Sequence, residues 1–276
     1  MAITASDVNK LRQQTGAGMM DCKNALVEAN GDFEAAVDVL RKKGQKVAAK
    51  RGENEASEGL IFAQTTTDGK TGVLLTLNCE TDFVAKNDTY RNFVQSLMDI
   101  ALNNLPSTSE ELKGLKYDDK LTVEEKITEQ VGVIGEKLDL SGYAVVKGDT
   151  VVAYNHPGNQ LATLVALNKG GEVVAEAGRQ VAMQVAAMNP IALNKDGVDA
   201  RTIEREIEVG KELAIQEGKP ADMAEKIAQG RLAKFFKENT LLSQEFIRDN
   251  KLTVEQFLNS TENGLTVTEF KRFSLS

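Results

Sequence analysis

One histidine, two cysteines and no tryptophan occur among 276 residues, and aromatics make up only 5%. These shortages close off several kinds of chemistry. His156 with the distant Cys22 and Cys79 does not supply the ligand set of a zinc site. The cysteines form no CxxC, so two reduced, buried thiols in a cytoplasmic protein are the expectation. A basic surplus is also missing. The formal charge of −8 argues against a nucleic-acid partner, because neutralising phosphates requires excess Lys and Arg. The local basic run RKKGQKVAAKR at 41–51 reads as a solvated helix end and linker. No apolar run approaches the ~20 residues that span a bilayer. The start MAITASDVNK lacks the basic and apolar parts of a secretory signal. Catalytic motifs are equally scarce. There is no P-loop pattern, TGAGMMD lacks the third glycine and the preceding strand of a dinucleotide fingerprint, and no G-x-S-x-G accompanies His156. No active site, metal or cofactor is expected.

What is present is an ordinary globular balance, 41% hydrophobic and 27% charged, in a chain long enough for about two or three domains. The pattern is α+β. Residues 1–55 read as an N-terminal three-helix module. Its first helix carries Val8 and Leu11 behind Thr4 or Ser6 and stops at Thr15-Gly16. The second has the stripe Cys22, Ala25, Leu26, Ala29, and the third, capped by Asp32, runs from Phe33 to a stop at Gly44. Between the first two, adjacent Met19 and Met20 face different ways. At least one is expected to be exposed, either as an adaptable contact surface or as a satellite core contact. A polar linker over 46–58 follows.

Residues 56–140 read as a first core subdomain. LIFAQTTTDGKTGVLLTLN is a hairpin turning at Asp68-Gly69, followed by a helix with Tyr90, Phe93, Val94, Leu97, Met98 and Ala101 on one side. Residues 141–190 repeat that order. GYAVVKGDTVVAYN is strand, turn and strand, LATLVALN a third strand, and a helix ends before Pro190. Placing Leu77-Asn78 on Leu167-Asn168 aligns Val84-Ala85 with Val174-Ala175 without a gap, which suggests two related β-β-α modules. Residues 191–233 read as an antiparallel helical hairpin (Ile203, Ile207, Val209, Leu213; then Met223, Ile227, Leu232, Phe235) turning at Gly218-Lys219-Pro220. It either packs on another surface or folds back on its own core. Residues 234–276 finish the second subdomain with the short strands SQEFIRDN and LTVTEFKRFSLS.

At the end of the buried strand GVLLTLN stands NCETDFVAKN, with an acid beside a large ring. By spacing alone Thr81-Asp82 is a helix N-cap and Phe83 lies on the core face of the following helix. The repeat places Glu172-Val173 opposite Asp82-Phe83, so the connection does not require a ring. LRQQTGAGMMDCKNAL (11–26) and LNCETDFVAKN (77–87) resemble the two signature segments of the bacterial elongation factor Ts family. ANGDFEAAVDVLRKKG (29–44), GKPADMAEKIAQGRLAKF (218–235) and VTEFKRF (267–273) match further, in the family's order.

The resemblance implies a small UBA-like N-terminal domain, a core of two α+β subdomains and a coiled-coil insertion used for homodimers. It implies a nucleotide exchange factor whose partner is the GTPase elongation factor Tu, with no covalent catalysis. It places Asp82 and Phe83, within Thr81, Asp82, Phe83 and Val84, near the partner's Mg²⁺ and phosphate site as a wedge. It makes Leu11, Met19 and Met20 contacts of the N-terminal module, and Ile134, Gly135 and His156 further contact positions. The chain stops almost directly after VTEFKRF, so the extra C-terminal module of the longest members is expected to be missing. The competing reading is an adaptor that binds a protein partner without exchange. An enzyme comes third, with no motif behind it.

Overall fold

The structure is a computed structural model that describes residues 3–275, apart from the side chains of residues 221 and 222. Helices α1 (Ala5–Thr15), α2 (Met19–Glu28) and α3 (Phe33–Arg51) form the N-terminal module. Thr4 and Asp7 cap α1 reciprocally, Gly16 ends it in the left-handed region at φ 74°, and Asp32 caps α3. Val8, Leu11, Cys22, Ala25, Leu26 and Ala36 make its core.

The expected stop at Gly44 is overturned, since α3 continues through it to Arg51. Gly44 is where α3 crosses α7 (Val123–Ile134): a Cβ on Gly132 would lie 2.5 Å from Gly44 Cα. The glycine admits a second helix instead of ending the first, so the start of the expected linker, residues 46–51, is helical.

Strands β1 (Glu58–Thr65), β2 (Thr71–Cys79) and β3 (Asp139–Lys147) form one antiparallel sheet in that order. A second contains β4 (Thr150–Asn155), β5 (Leu161–Leu167) and β8 (Val267–Ser274). The sheets face each other across Ile61, Ala63, Leu74, Val146, Val151, Ala162, Leu164 and Ala166. On the outer face of the first, Val73, Leu75 and Leu77 pack on Tyr90, Phe93 and Leu97 of α5 (Asp88–Asn104). On the second, Val165 and Leu167 pack on Val181 and Val185 of α8 (Glu172–Met188) and Leu258 of α11 (Val254–Thr261). The layers run helix, sheet, sheet, helix. GVLLTLN is apolar on both faces because both faces are covered.

The strands on either side of Gly148-Asp149 do not form a hairpin. β3 pairs with β2, whereas β4 pairs with β5, so the chain changes sheets at that turn. The division expected at 140/141 therefore falls inside a strand of the first sheet. The constant offset that carries Leu77 to Leu167 also carries the pair Leu60–Leu77 to Thr150–Leu167 and Ala63–Leu74 to Ala153–Leu164. The third strands correspond as well: each ladder has an irregularity at the matching step, Thr76/Leu77 and Ala166/Leu167.

Between β2 and β3 lie a short α4 (Asp82–Ala85), α5, α6 (Ser109–Gly114) and α7. Between α8 and β8, α9 (Ala200–Gln216) and α10 (Ala221–Asn239) pack along each other. Their seam is made of small residues, with Gly210 against Ala228 and with Ala214 and Ala224 buried, while Val209, Leu213 and Met223 face solvent. The strands expected after residue 243 are β6 (Glu245–Phe246), β7 (Asp249–Thr253) and β8, with α11 inserted among them.

Candidate partner-binding site

β2 ends at Cys79, and α4 begins three residues later at Asp82. The helix breaks after Ala85, and Asn87 starts α5 by accepting the Thr89 N–H at 2.8 Å. Cut off from α5 in this way, α4 turns Ala85 and part of Val84 into the first core and leaves Phe83 83% exposed. The ring expected on the core face of the helix therefore projects into solvent. Asp82 also faces solvent, and its carboxylate accepts from Lys86 Nζ at 2.6 Å. This bond, reinforced by the charge of Lys86, holds the Asp82 carboxyl below its ordinary range.

Thr81 does not cap α4 with its side chain. Its hydroxyl donates to Glu136 Oε1 at 2.6 Å and its N–H to Glu136 Oε2 at 3.0 Å. The neighbouring Glu80 receives Arg51 Nη1 on both oxygens (3.0 and 2.8 Å), Asn54 Nδ2 (3.0 Å) and the Lys137 N–H (2.6 Å). Burial alone would raise the Glu80 pKa, but the Lys137, Asn54 and Arg51 donors together lower it. Lys137 Nζ closes the cluster on the carbonyls of Gly52 and Asn54. Beneath the turn, Cys79 Sγ donates to the Thr81 carbonyl at 3.2 Å. Burial pushes this thiol up to about 11, leaving it neutral and unreactive at physiological pH.

Gly135, at φ 82°, ends α7 and turns the chain so that Glu136 and Lys137 reach the residues before α4. Ile134 packs against the first core. One residue earlier, Val133 lies against the loop before α2, its Cγ1 3.7 Å from where a Gly16 Cβ would stand. The end of α7 thus joins the Phe83 turn to the module that carries Met19 and Met20, which are 56% and 63% exposed. Leu11 is a correction: expected as a contact, it is completely buried in the module's own core and presents no surface to a partner. His156 lies exposed in the β4–β5 turn with Nδ1 3.0 Å from Tyr154 Oη. That turn docks on the first module through Asn159, which accepts from the Ile61 N–H at 2.7 Å and from Arg91 Nη2 at 3.1 Å.

Sequence reading missed Arg51, Glu80, Glu136 and Lys137 as a group. Glu80 stands inside a quoted motif and Glu136 directly after the expected contact Gly135, but their partners are distant in sequence. Among the described residues, no three His, Cys, Asp or Glu side chains cluster as metal ligands, and no helix is long and apolar enough to cross a membrane.

Residues 80–276, beginning at the first carboxylate of this cluster, match the family model described as Elongation factor TS. The chain belongs to the elongation factor Ts family. Relatives bearing the name Elongation factor Ts agree along its whole length. That of Amoebophilus asiaticus is 54% identical over 273 residues, covering 99% of this chain and 98% of the relative. That of Cytophaga hutchinsonii is 53% identical over 275 residues, covering 99% of both. That of Porphyromonas gingivalis is 47% identical over 276 residues, covering 100% and 99%. Membership in the family makes the chain a translation elongation factor of protein biosynthesis. The N-terminal module precedes the part matched by the family model, but the full-length relatives align with it too.

Proposed function

We propose that this chain binds elongation factor Tu in its GDP form and speeds release of GDP, and so exchange for GTP, by inserting Phe83 near the partner's Mg²⁺ and phosphate site. The observation that carries the reading is an 83% exposed phenyl ring on a four-residue helix whose approach is fixed by two carboxylates. An exposed aromatic of this kind is stored binding energy. Burying it in a partner yields roughly 1.5–3 kcal/mol, about one to two powers of ten in affinity. If the receiving pocket opens only when the ion and phosphate contacts relax, that energy favours the nucleotide-free partner. Linkage then weakens nucleotide binding by the same factor. No covalent step is involved, so the protein acts as an exchange factor and not as an enzyme.

Met19 and Met20 supply an adaptable second contact on a UBA-like module. Asp82, Ile134, Gly135 and His156 extend the surface, and Thr81 and Val84 hold the motif in place. The α9–α10 pair, read as a coiled coil with Val209, Leu213 and Met223 outward, is the surface for a homodimer.

The test is stopped-flow release of a fluorescent GDP analogue from elongation factor Tu. Phe83→Ala should slow catalysed release ~10-fold or more while leaving the thermal transition nearly unchanged, since Phe83 is 83% exposed in its own chain. Wild-type rates in the folded variant would overturn the wedge. Partner binding with no change in nucleotide off-rate, even for the wild type, would establish the adaptor instead.

A further inference from the structure

We infer that Glu136 is a positioning residue that holds the Phe83 ring in its docking orientation by clamping Thr81; this rests on the reading of Phe83 as the docking ring. The ring needs such a device. Helix α4 has four residues, too few to be stable alone, and its first N–H groups lack a side-chain cap. Phe83 itself, largely surrounded by solvent, makes little contact that would fix it. The residue two positions before it is held at two points by one carboxylate, through the Thr81 N–H and the Thr81 hydroxyl. Backbone and side chain of Thr81 are therefore oriented together.

The clamp is anchored in turn. Gly135 fixes where Glu136 leaves α7, and the Lys137 N–H binds Glu80, next to Thr81. Helix α7 is locked to α3 at the Gly132–Gly44 crossing. The direction of the ring is thus referenced to α3 and α7, the helices that attach the N-terminal module. A freely moving turn would have to be ordered at the moment of docking, and the entropy of fixing a single residue corresponds to about a tenfold loss of rate.

The experiment uses the full chain with elongation factor Tu carrying a fluorescent GDP analogue. Glu136→Ala is expected to slow catalysed release about tenfold and to change it less than about twofold in a Phe83→Ala background, because it acts through the ring. Equal slowing in both backgrounds would mean a separate structural role and would overturn the inference.

A second readout needs no exchange. The chain has no Trp, so Phe83→Trp puts a single tryptophan at the tip. Adding Glu136→Ala should lower its steady-state anisotropy, and an unchanged value would overturn the clamp. Thr81→Ser, which keeps both donors, should restore near wild-type exchange and anisotropy, whereas Thr81→Val should not. Should Glu136→Ala fail to fold, Glu136→Gln keeps the shape but replaces the charge-assisted bonds to the Thr81 N–H and hydroxyl with weaker neutral ones, and should fall between. If Phe83→Ala proves to exchange normally, the wedge fails, but the anisotropy still decides whether Glu136 holds this turn.

Discussion

In the second module the chain leaves β5 at Leu167, passes residues 168–171 and enters α8, which runs unbroken from Glu172 to Met188. In the first module the matching helix start is Asp82, yet the helix breaks after Ala85 and restarts at Asp88. Both modules expose an apolar side chain at the same register position, Phe83 at 83% and Val173 at 64%. What differs is the way that position is held. Val173 is directed by the hydrogen-bond ladder of a long helix. Phe83 sits on an isolated turn and takes its direction from groups remote in sequence: Glu136 on Thr81, and Arg51 and Lys137 on Glu80. The second module also ties its strand end to the segment before its third strand, through Asn168 to Gly264 and Thr266, but these bonds stop before the helix. A strand-to-helix connection thus works without a break, a ring or a clamp. Their presence together sets the turn of the first module apart from that of the second.

The largest expected effect tests whether the first module's bracing is as rigid as this comparison requires. Gly132→Ala would place a Cβ 2.5 Å from the Gly44 Cα, which is backbone on both sides, so α3 and α7 would have to move apart. Such overpacking costs about 1–3 kcal/mol, more than the ~1 kcal/mol or less that alanine gains in a helix. At about 2–4 °C per kcal/mol, several degrees of melting temperature should be lost. In the second module Gly178→Ala meets Leu167 Cδ1 at 2.7 Å and Val152 Cγ2 at 2.8 Å, side-chain methyls of which the leucine's can swing aside. Its loss should be smaller in the same thermal melts. The reverse order would break the contrast.

A smaller effect addresses the two apolar tips directly. Phe83→Val gives the first module the residue of the second, and catalysed GDP release from elongation factor Tu should slow on the order of tenfold as buried carbon is lost. Val173→Phe should leave the rate within about twofold, since the bonds that tie this approach are made by Asn168 and Lys169, farther from the tip than Thr81 is from Phe83. Enhanced exchange from a second ring would show that exposure alone suffices.

Much of this arrangement was legible because it is local. The stripe from Tyr90 to Ala101, the caps at Thr4 and Asp32 and the shared offset of the hairpins follow from periodicity and turn chemistry. The misreadings share one cause, a local signal with two long-range meanings. Glycine at position 44 suits a helix end and equally a close helix crossing. Gly148-Asp149 turns the chain but does not say which sheet receives the next strand. Leu11 sits in a signature segment, yet its period places it in the core. Thr81 looks like an N-cap until Glu136, remote in sequence, takes its hydroxyl. Helix α11 lies between the two expected strands, in a stretch that the sequence reading leaves unassigned, although Thr253 and Gln256 form a capping box.

The smallest effect separates the two modules by pH. The Glu80 carboxyl is held below its ordinary 4.5, with the Lys137 N–H, Asn54 and Arg51 outweighing a burial that alone would raise it. A carboxyl lowered on folding contributes stability that is fully present above the unfolded value near 4.5 and is lost as pH falls through the lower folded value. The Arg51–Glu80 pair is partly shielded, with side-chain exposures of 39% and 15%, so salt should weaken it only in part. Its counterpart Lys169–Glu262, exposed by 32% and 44%, belongs with surface pairs worth about 0–1 kcal/mol. Glu80→Gln should therefore melt about 2 °C below the wild type near neutral pH. The gap should shrink as pH falls below 4.5 and close below the lower folded value, where the wild-type carboxyl is protonated too. Glu262→Gln should show almost no gap at any pH. A Glu80 gap that survives acidification would mean that shape, and not charge, joins α3 to the Phe83 turn.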